Sequence, residues 1–388
     1  MMLRRSAALR EGPERPHDAC SMEPYCPVIS APGLAPPLPK LRTKAGLGLR
    51  RLGCSTGRSR KLESGPVPPT LSRKGERMAL ATRILGKTGL EVTRLGYGAM
   101  ELAGIKGPVE PADAHKLLNH VLDVGITFID TSPDYGGSEE LIGEAISNRR
   151  DEYFLASKCG CPVTIPFELK GGRPVHLFTA ENVRGAVEQS LARMRTDHLD
   201  LVQVHMSPSR AELEEAETLQ TLETLKSEGK LRFIGMSGIL PDLRDHLEME
   251  VFDAFQIPYS GLEREHEEII TEAAAAGAGT IIRGGVARGA PAPDQNPDEA
   301  PEFWRNAMVA KRDLWEEARL DELTQGLTRM EFMLRFTLSH PDIHTIIVGT
   351  TNADHLDANV RAASGDKLPA DIYAEAKHRL EALQTPGT

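Results

Sequence analysis

The sequence lacks long apolar runs and is poor in aromatic residues. Among its 388 residues, phenylalanine, tryptophan and tyrosine together make up 5%, and the mean hydropathy is -0.31. No stretch approaches the roughly 18 consecutive apolar residues that a membrane-spanning helix needs. The formal net charge of -10 argues against a nucleic acid or an anionic membrane surface as partner. We therefore expect neither a nucleic acid nor a membrane among its partners.

Cysteines are few, and their spacing indicates no shared ligand. The five are Cys20, Cys26, Cys54, Cys159 and Cys161. An odd number without regular spacing does not predict a disulfide framework or a four-ligand zinc site. The last two form an isolated C-x-C pair with no second ligand pair nearby in the sequence. The sequence therefore predicts a reducing, cytoplasmic location and no metal site.

The first 77 residues differ in composition from the rest of the chain. They contain 15 lysines and arginines against 6 aspartates and glutamates, together with 11 of the 27 prolines. Because they show no apolar periodicity, we expect a disordered or untranslated, basic and proline-rich extension over residues 1–77. The alternatives are an organellar transit peptide, a disordered interaction arm, and an untranslated leader before a start at Met78. Residues 78–388 are expected to form the folded domain.

From Thr82 onward, short apolar runs alternate with helical patterns. Eight runs are predicted to be buried strands: RLGYGAM, GITFIDT, YFLASK, LDLVQVH, LRFIGMS, VFDAFQI, GTIIRGG and HTIIVGT. Strands that alternate with helices indicate an α/β protein with a parallel sheet, and eight such units close into a (β/α)8 TIM barrel. An N-terminal β-hairpin is expected to turn at Lys87–Gly89. A doubly wound sheet is disfavoured, because no predicted strand is followed by G-x-G-x-x-G.

The helical stretches have predictable faces and ends. The first, over residues 112–125, ends at Gly125 and places five apolar residues on one face: Ala114, Leu117, Leu118, Val121 and Leu122. Residues 210–229 and 263–277 are each predicted to form one helix that ends at a glycine. Residues 289–308 are predicted to be a long polar loop, either over the barrel mouth with Phe303 and Trp304 facing substrate, or a plain surface insertion.

Polar residues stand at the end of the predicted strands where barrel enzymes carry their chemistry. Asp130 follows the second strand, Lys158 the third, His205 the fourth, Ser237 the fifth and Gln256 the sixth. Taken singly, each has an ordinary structural explanation, such as a helix cap or a solvated lysine. Their presence at successive strand ends predicts an active site.

The segment GITFIDTSPDYGGSEELIGEAI resembles the aldo-keto reductase family, and the resemblance extends over residues 82–363. It implies a catalytic tetrad of Asp130, Tyr135, Lys158 and His205. In that scheme Tyr135 is the general acid in the NAD(P)H-dependent reduction of an aldehyde or ketone to an alcohol. The ammonium of Lys158 stabilises the phenolate, Asp130 fixes the lysine, and His205 helps to place the carbonyl oxygen.

The resemblance also implies a nicotinamide cofactor, NADP(H), with NAD(H) as the alternative because little positive charge is available for a 2′-phosphate. The residues matching the family's cofactor contacts are Ser237, Gln256, Arg283, Gly284, Gly285, Val286, Arg288, Gly349, Thr350, Thr351, His355 and Asn359. Ser237 and Gln256 are expected to hold the nicotinamide carboxamide. Gly284 and Gly285 are expected to let the backbone approach the pyrophosphate. The sequence departs from the family at Gly238, where relatives usually have asparagine.

Two other functions share this fold. One is a regulatory barrel that binds cofactor with little turnover, and the other is a (β/α)8 lyase or isomerase. The second would need metal-binding carboxylates or a phosphate-binding glycine pair. The complete tetrad favours the oxidoreductase over both, with a small-molecule carbonyl compound as substrate.

Overall fold

Eight parallel strands close into a barrel that is surrounded by helices. The structure is a computed structural model and describes residues 79–105, 107–163, 169–170, 173–289, 291–292, 296, 298 and 302–384. The extension predicted over residues 1–77 lies outside these residues. The closed parallel barrel confirms the predicted (β/α)8 fold.

The strands and helices of the described residues follow in chain order. The strands are β1 (Thr82–Ile84), β2 (Glu91–Thr93), β3 (Leu95–Gly98), β4 (Phe128–Asp130), β5 (Phe154–Cys159), β6 (Leu169–Lys170), β7 (Arg173–Pro174), β8 (Leu199–His205), β9 (Leu231–Ser237), β10 (Ala254–Pro258), β11 (Gly279–Arg283) and β12 (Thr345–Val348). The helices are α1 (Pro111–Asp123), α2 (Ser138–Ile146), α3 (Ala180–Met194), α4 (Arg210–Glu215), α5 (Thr218–Ser227), α6 (Asp242–Glu248), α7 (Glu267–Ala275), α8 (Glu302–Glu317), α9 (Arg329–Ser339), α10 (Ala353–Ser364) and α11 (Ala370–Gln384).

The barrel strands are arranged in the order in which the chain forms them. Each barrel strand pairs with the next one in the chain, and the last pairs with the first to close the ring. The order is β3, β4, β5, β8, β9, β10, β11 and β12. Every pair is parallel. All eight strands therefore end at the same face of the barrel. They coincide with the eight apolar runs predicted to be strands.

Helix α1 illustrates how the sequence pattern forms the outer layer. All five residues of its predicted apolar face are buried. Gly125 follows the helix with a φ of +92°, a conformation that glycine adopts without steric cost. Helix α3 begins after Thr179, whose side chain accepts a hydrogen bond from the backbone N–H of Asn182.

Three helix boundaries differ from the prediction. The stretch 210–229 forms two helices, α4 and α5, because Glu217 adopts a left-handed φ of +54° between them. Helix α7 begins at Glu267, four residues later than predicted. The predicted loop 289–308 is helical from Glu302 onward, because proline and acidic residues favour the first turn of a helix as well as a loop. The side chains of Phe303 and Trp304 lie outside the described part.

The hairpin of β1 and β2 closes the barrel at the end where the strands begin. Leu85, Leu90 and Val92 are buried there against residues from five barrel strands: Phe128, Ala156, Leu201, Ala254 and Ile281. A β-carbon at Gly279 would lie 2.6 Å from Leu85, so the close packing of the hairpin requires glycine at that position. The end that is filled in this way is unavailable to a ligand.

The larger hydrophobic core lies between the strands and the helices around them. Ile129 and Leu155 from the strands, for example, share it with Leu118, Ile142 and Val187 from the helices. Across the described residues, none of the helices combines the length and the apolar character that crossing a membrane requires.

Candidate active site

Five predicted site residues lie at the ends of neighbouring strands. Asp130, His205 and Ser237 are the last residues of β4, β8 and β9. Lys158 lies one residue before the end of β5, and Gln256 lies two residues before the end of β10. In the register of the sheet His205 pairs with Ser237, and Ser237 pairs with Gln256. The structure therefore brings all five to the face of the barrel opposite the hairpin.

Asp130 is the centre of a buried hydrogen-bond network. Its Oδ2 accepts from Nζ of Lys158 at 2.7 Å, and its Oδ1 accepts from the side-chain amides of Gln203 and Gln256, each at 2.8 Å. Lys158 also donates to the carbonyl oxygen of Thr131 at 2.8 Å. Asp130 and Lys158 are each 1% exposed. Two charged groups can stay buried here because they are paired and further hydrogen-bonded.

Gln203 was not predicted as a site residue. It lies two residues before His205 in β8 and opposite Lys158 in β5. Because side chains alternate along a strand, residues two apart lie on the same side of the sheet. The spacing from His205 could therefore have predicted Gln203 as a site residue. The carbonyl oxygen Oε1 of Gln203 is buried and has no hydrogen-bond partner among the described residues.

Tyr135 lies in the loop between β4 and α2, and hydrogen bonds fix that loop. The backbone N–H of Tyr135 donates to the carbonyl oxygen of Ser132 at 3.1 Å, and its carbonyl oxygen accepts from the N–H of Ser138 at 3.0 Å. The hydroxyl of Ser138 donates to the carbonyl oxygen of Ala99 at 3.0 Å and lies 2.9 Å from that of Thr131. The first turn of α2 is thus connected to the end of β3.

Glu139 anchors α2 from behind the loop. It is completely buried, and its carboxylate accepts from Ser157 at 2.8 Å, Ser190 at 2.6 Å and Arg193 at 3.2 Å. Burial raises the pKa of Glu139, although these three donors act in the opposite direction. The contacts join α2 to β5 and α3, so this residue of the motif supports the site without entering it.

The ring of Tyr135 lies beside Lys158 and His205. Nζ of Lys158 is 4.8 Å from the centroid of the Tyr135 ring. The rings of Tyr135 and His205 meet edge to face, with centroids 6.5 Å apart. Both residues are buried. The four residues that the family resemblance implies therefore form one cluster, in which Lys158 lies between Asp130 and the phenol ring.

Burial and neighbouring cationic groups favour the neutral form of His205. Burial and then the neighbouring His176, Lys158 and Arg283 lower the pKa of His205 well below its ordinary value. Its Nδ1 lies 3.3 Å from Nε2 of His176 and 3.5 Å from Sγ of Cys161. A neutral imidazole has one N–H donor and one acceptor nitrogen. His176 was not predicted as a site residue, and Cys161 was predicted to bind no metal.

Ser237 and Gln256 form a hydrogen-bonded pair. The Ser237 hydroxyl donates to Oε1 of Gln256 at 3.1 Å, while Nε2 of Gln256 donates to Asp130. A side-chain amide has two N–H bonds and two carbonyl lone pairs, so Gln256 retains one N–H and one lone pair that these two hydrogen bonds do not use. The pair therefore keeps a donor and an acceptor, as required for binding a carboxamide.

The departure at Gly238 has a local structural reason. A β-carbon at this position would lie 2.6 Å from Oγ of Ser207, which itself accepts from the N–H of Ile239 at 2.7 Å. Met206 and Ser207 follow His205 with left-handed φ values of +68° and +49°. This turn directs the Ser207 hydroxyl into the space that a side chain at residue 238 would occupy.

The loop after β11 has the backbone geometry of an anion-binding turn. Gly284 has a φ of +71°, and Ala287 and Arg288 have values of +51° and +57°. A β-carbon at Gly285 would lie 2.6 Å from Ile346 of β12, so this glycine allows the loop to pack against the neighbouring strand. Successive N–H groups in such turns form concave sites for anions. Arg283 ends β11, and Val286 is buried.

The segment after β12 leads to the exposed start of α10. A β-carbon at Gly349 would lie 2.8 Å from the carbonyl oxygen of Gly98. Asn352 caps the helix by accepting from the N–H groups of Asp354 and His355 at 2.8 and 3.3 Å. The remaining cofactor candidates differ in exposure: Thr350 is buried, Thr351 and His355 are exposed, and Asn359 is half-buried. Because β11 and β12 are neighbours, this segment and the loop after β11 lie side by side.

The aldo/keto reductase family model matches residues 94–380. The chain belongs to the aldo/keto reductase family, and it is an oxidoreductase with a TIM-barrel fold. Members of this family use nicotinamide cofactors.

Individual relatives match most of the domain. L-galactose dehydrogenase from Arabidopsis thaliana is 29% identical over 317 residues, which cover 78% of this chain and 94% of the relative. The uncharacterized oxidoreductase YqkF from Bacillus subtilis is 28% identical over 310 residues, with coverages of 78% and 95%. The holo form of the aldo-keto reductase AKR11C1 from Bacillus halodurans superimposes with a TM-score of 0.65 at 26% identity, covering 80% of this chain and 98% of that one.

Proposed function

We propose that this protein reduces aldehydes or ketones to alcohols with NAD(P)H, and that Tyr135 is the general acid. The observation that carries the proposal is the position of Nζ of Lys158, 2.7 Å from the Asp130 carboxylate and 4.8 Å from the centroid of the Tyr135 ring. A buried ammonium beside a phenol favours the phenolate that remains once the phenol has given up its proton. Tyr135 is thereby suited to protonate a substrate oxygen and, in the reverse direction, to deprotonate an alcohol.

Asp130 and Gln203 act on this proton transfer from a distance. Asp130 holds the Lys158 ammonium, while Gln203 and Gln256 hold the other carboxylate oxygen. With both oxygens occupied, the carboxylate cannot rotate away from the lysine without losing hydrogen bonds inside a buried site. The ammonium therefore stays next to the phenol ring.

His205 serves as a neutral hydrogen-bond donor. Its pKa is lowered by burial and nearby cations, so it does not compete with Tyr135 as the acid at neutral pH. Its Nδ1 faces His176 and Cys161, and in the tautomer in which Nδ1 accepts a hydrogen bond from one of them, Nε2–H is the donor to the carbonyl oxygen of the substrate. Such a fixed donor stabilises the negative charge that develops on that oxygen.

The described residues fit a nicotinamide dinucleotide. Ser237 and Gln256 retain a donor and an acceptor for a carboxamide, and the turn after Gly284 together with the start of α10 suits phosphate groups. We assign the remaining contacts to the residues predicted from the family resemblance: Arg283, Gly285, Val286, Arg288, Gly349, Thr350, Thr351, His355 and Asn359. When bound, the reduced nicotinamide supplies the hydride. We propose NADP(H) as the preferred form, with NAD(H) as the alternative to be measured in the same assay.

The experiment compares Tyr135→Phe with the wild type on a panel of aldehydes and ketones, followed by absorbance of the reduced nicotinamide. Because one relative is an L-galactose dehydrogenase, the panel includes sugars and the oxidative direction. Loss of a general acid is expected to lower kcat by about 10²- to 10⁴-fold, with cofactor affinity close to that of the wild type.

Tyr153→Phe is the matched control. Tyr153 is also buried, and the one contact of its hydroxyl among the described residues is with the carbonyl oxygen of Ile146, at 3.5 Å and away from the site. This variant should retain wild-type kcat. Full turnover in Tyr135→Phe would show that the acid is another group. Cofactor binding by the wild type without turnover of any substrate would favour the regulatory barrel.

A further inference from the structure

Four side chains able to bind a metal converge next to His205. Asp134, Cys161, His176 and His205 each offer one ligand atom, and these four atoms all lie within 4.8 Å of one another. The side chains of Asp134, His176 and His205 are 7%, 5% and 10% exposed, and Cys161 is 1% exposed. The cluster is thus enclosed on nearly all sides, and each ligand comes from a different segment of the chain.

The distances among these atoms are close to those of a tetrahedral zinc site. Zinc binds imidazole nitrogen at about 2.0 Å and thiolate sulfur at about 2.3 Å, which places the ligand atoms about 3.3 Å (N to N) and about 3.5 Å (N to S) apart. Here the two imidazole nitrogens are 3.3 Å apart, and Sγ of Cys161 lies 3.5 and 3.8 Å from them. Oδ2 of Asp134 lies 3.7 and 3.9 Å from the same nitrogens, so a small movement of this carboxylate completes the tetrahedron.

Hydrogen bonding explains this arrangement less well. Nδ1 of His205 has a single lone pair in the plane of the ring, yet both Nε2 of His176 and Sγ of Cys161 point at it. Only one of them can form a good hydrogen bond there. A cation at the common centre accepts a lone pair from every ligand at once.

We propose that Asp134 Oδ2, Cys161 Sγ, His176 Nε2 and His205 Nδ1 bind one zinc ion. Two imidazoles and a thiolate are softer ligands than calcium or magnesium prefer, and the tetrahedral spacing suits zinc. The two negative charges of a thiolate and a carboxylate balance the charge of Zn²⁺, so the occupied site is neutral within its buried surroundings. The spacing of the cysteines in the sequence had predicted no metal site.

Ser132 supports two of the ligands. Its hydroxyl donates to Oδ1 of Asp134, and its oxygen lies 3.4 Å from Sγ of Cys161. Oδ2 of Asp134 is thereby left to face the imidazoles. Groups that orient ligands in this way usually change metal affinity when they are removed.

The metal has a consequence for the reaction, and this part rests on the proposed function. Zinc on Nδ1 of His205 leaves the proton on Nε2, so the donor for the substrate oxygen no longer depends on tautomer exchange. Coordination also makes that N–H a stronger donor. The zinc acts here as a positioning group for His205.

The first test measures metal binding without substrate or cofactor, using the full-length protein. Wild-type protein equilibrated with Zn²⁺ should retain about one ion per chain by mass spectrometry of the metal, and Co²⁺ should give thiolate-to-metal charge-transfer absorption. Cys161→Ser and His176→Asn should lose both signals, and Ser132→Ala should weaken Zn²⁺ binding about 10- to 100-fold. Cys159→Ser is the matched control, because Cys159 is equally buried but packs in the hydrophobic core.

Folding of each variant is checked by circular dichroism, and the Co²⁺ spectrum of the wild type requires no variant. Absence of Zn²⁺ and Co²⁺ binding by the wild type, or unchanged binding in Cys161→Ser, would overturn the site. The second test removes the ion from the wild type with a chelator and restores it. Reversible loss of kcat supports the positioning role, whereas unchanged kcat of the metal-free protein overturns that role. Metal binding is scored independently of turnover, so failure of the proposed reductase activity does not affect the first test.

Discussion

The two ends of the barrel are both buried, but they are held together by different interactions. Where the strands begin, the hairpin fills the barrel with apolar side chains such as Leu85 and Val92. Where the strands end, Asp130, Lys158, Gln203 and Gln256 share hydrogen bonds in a space that is equally inaccessible to water. Apolar contacts stabilise the fold directly, whereas a buried ion pair must first overcome the cost of removing its charges from water.

This difference indicates that one end of the barrel contributes stability and the other contributes chemistry. The apolar end contributes free energy of unfolding and no chemistry. The polar end contributes little net free energy when it is complete, and becomes strongly unfavourable when one partner is missing. Charged groups are retained there because the proposed proton transfer needs an ammonium next to a phenol. Four substitutions or conditions test this contrast.

Lys158→Met should have the largest effect. Removing the ammonium leaves Asp130 buried without a cation, which is expected to lower the free energy of unfolding by about 3–5 kcal/mol and to abolish most turnover. Denaturant unfolding and kcat are measured on the same preparation. The double variant Asp130→Asn with Lys158→Met removes both charges. It should recover most of the stability and none of the activity, and recovery of turnover would contradict the role of the lysine.

Leu85→Ala tests the apolar end. Leu85 is completely buried between the hairpin and the barrel, so the truncation is expected to cost about 2–5 kcal/mol in free energy of unfolding. The kcat of the folded variant should equal that of the wild type. Ile84→Ala is the control. Ile84 precedes Leu85 in the chain and is 49% exposed, so this substitution should change the free energy of unfolding by less than about 0.5 kcal/mol. A large loss of kcat in Leu85→Ala would show that the two ends are coupled.

A third test measures how stability depends on pH at the end of the barrel where the strands begin. His344 directly precedes β12 at that end. Burial, followed by Arg83 and Arg94, lowers the pKa of His344 to about 4, with Asp342 acting in the opposite direction. Its Nδ1 accepts from the N–H of Thr280 at 3.1 Å. Because the unfolded chain takes up this proton near pH 6.5 and the folded one near pH 4, stability present above pH 6.5 is lost as the pH falls between these values.

A shift of this size corresponds to at most about 3.4 kcal/mol. Because the imidazole is only partly buried and solvent screens its charge, the expected loss is on the order of 2 kcal/mol, measured as the free energy of unfolding at several pH values. His344→Asn preserves an acceptor for the Thr280 N–H and removes the titrating ring. Its stability should therefore vary less between pH 6.5 and pH 4 than that of the wild type. An identical pH profile in the variant would assign the dependence to other groups.

Much of the fold could be predicted from local patterns. The apolar face of α1 follows from helical spacing, and the placement of Asp130, Lys158 and His205 at strand ends follows from the parallel order of the barrel. The break between α4 and α5 could not be predicted, because Glu217 takes a left-handed conformation without glycine or proline nearby. The helical start at Glu302 was also missed, since proline and acidic residues suit both a loop and a first helical turn.

The proposed zinc site next to His205 could not be predicted from the sequence for a different reason. Asp134, Cys161, His176 and His205 are separated by 27, 15 and 29 positions in the printed sequence, so no short spacing marks them as a set. The parallel pairing of β4 with β5 and of β5 with β8 brings them together. Gln203 is the opposite case, because its distance of two residues from His205 within a strand already indicates a shared face.

His355→Arg should have the smallest effect. It tests whether the cofactor is bound at the end of the barrel where the strands end. His355 is one of the residues assigned to the cofactor, and it is exposed in the first turn of α10. The N–H groups at this helix start suit a phosphate, and we expect the 2′-phosphate of NADPH to lie there. An added charge near a phosphate at an exposed position is worth roughly 1 kcal/mol, so KM for NADPH should fall about fivefold while KM for NADH stays the same. His378→Arg adds the same charge at an exposed position on α11 and should change neither value. Equal changes of KM for NADPH and for NADH in His355→Arg would mean that the 2′-phosphate is bound elsewhere, because only a contact with that phosphate distinguishes the two cofactors.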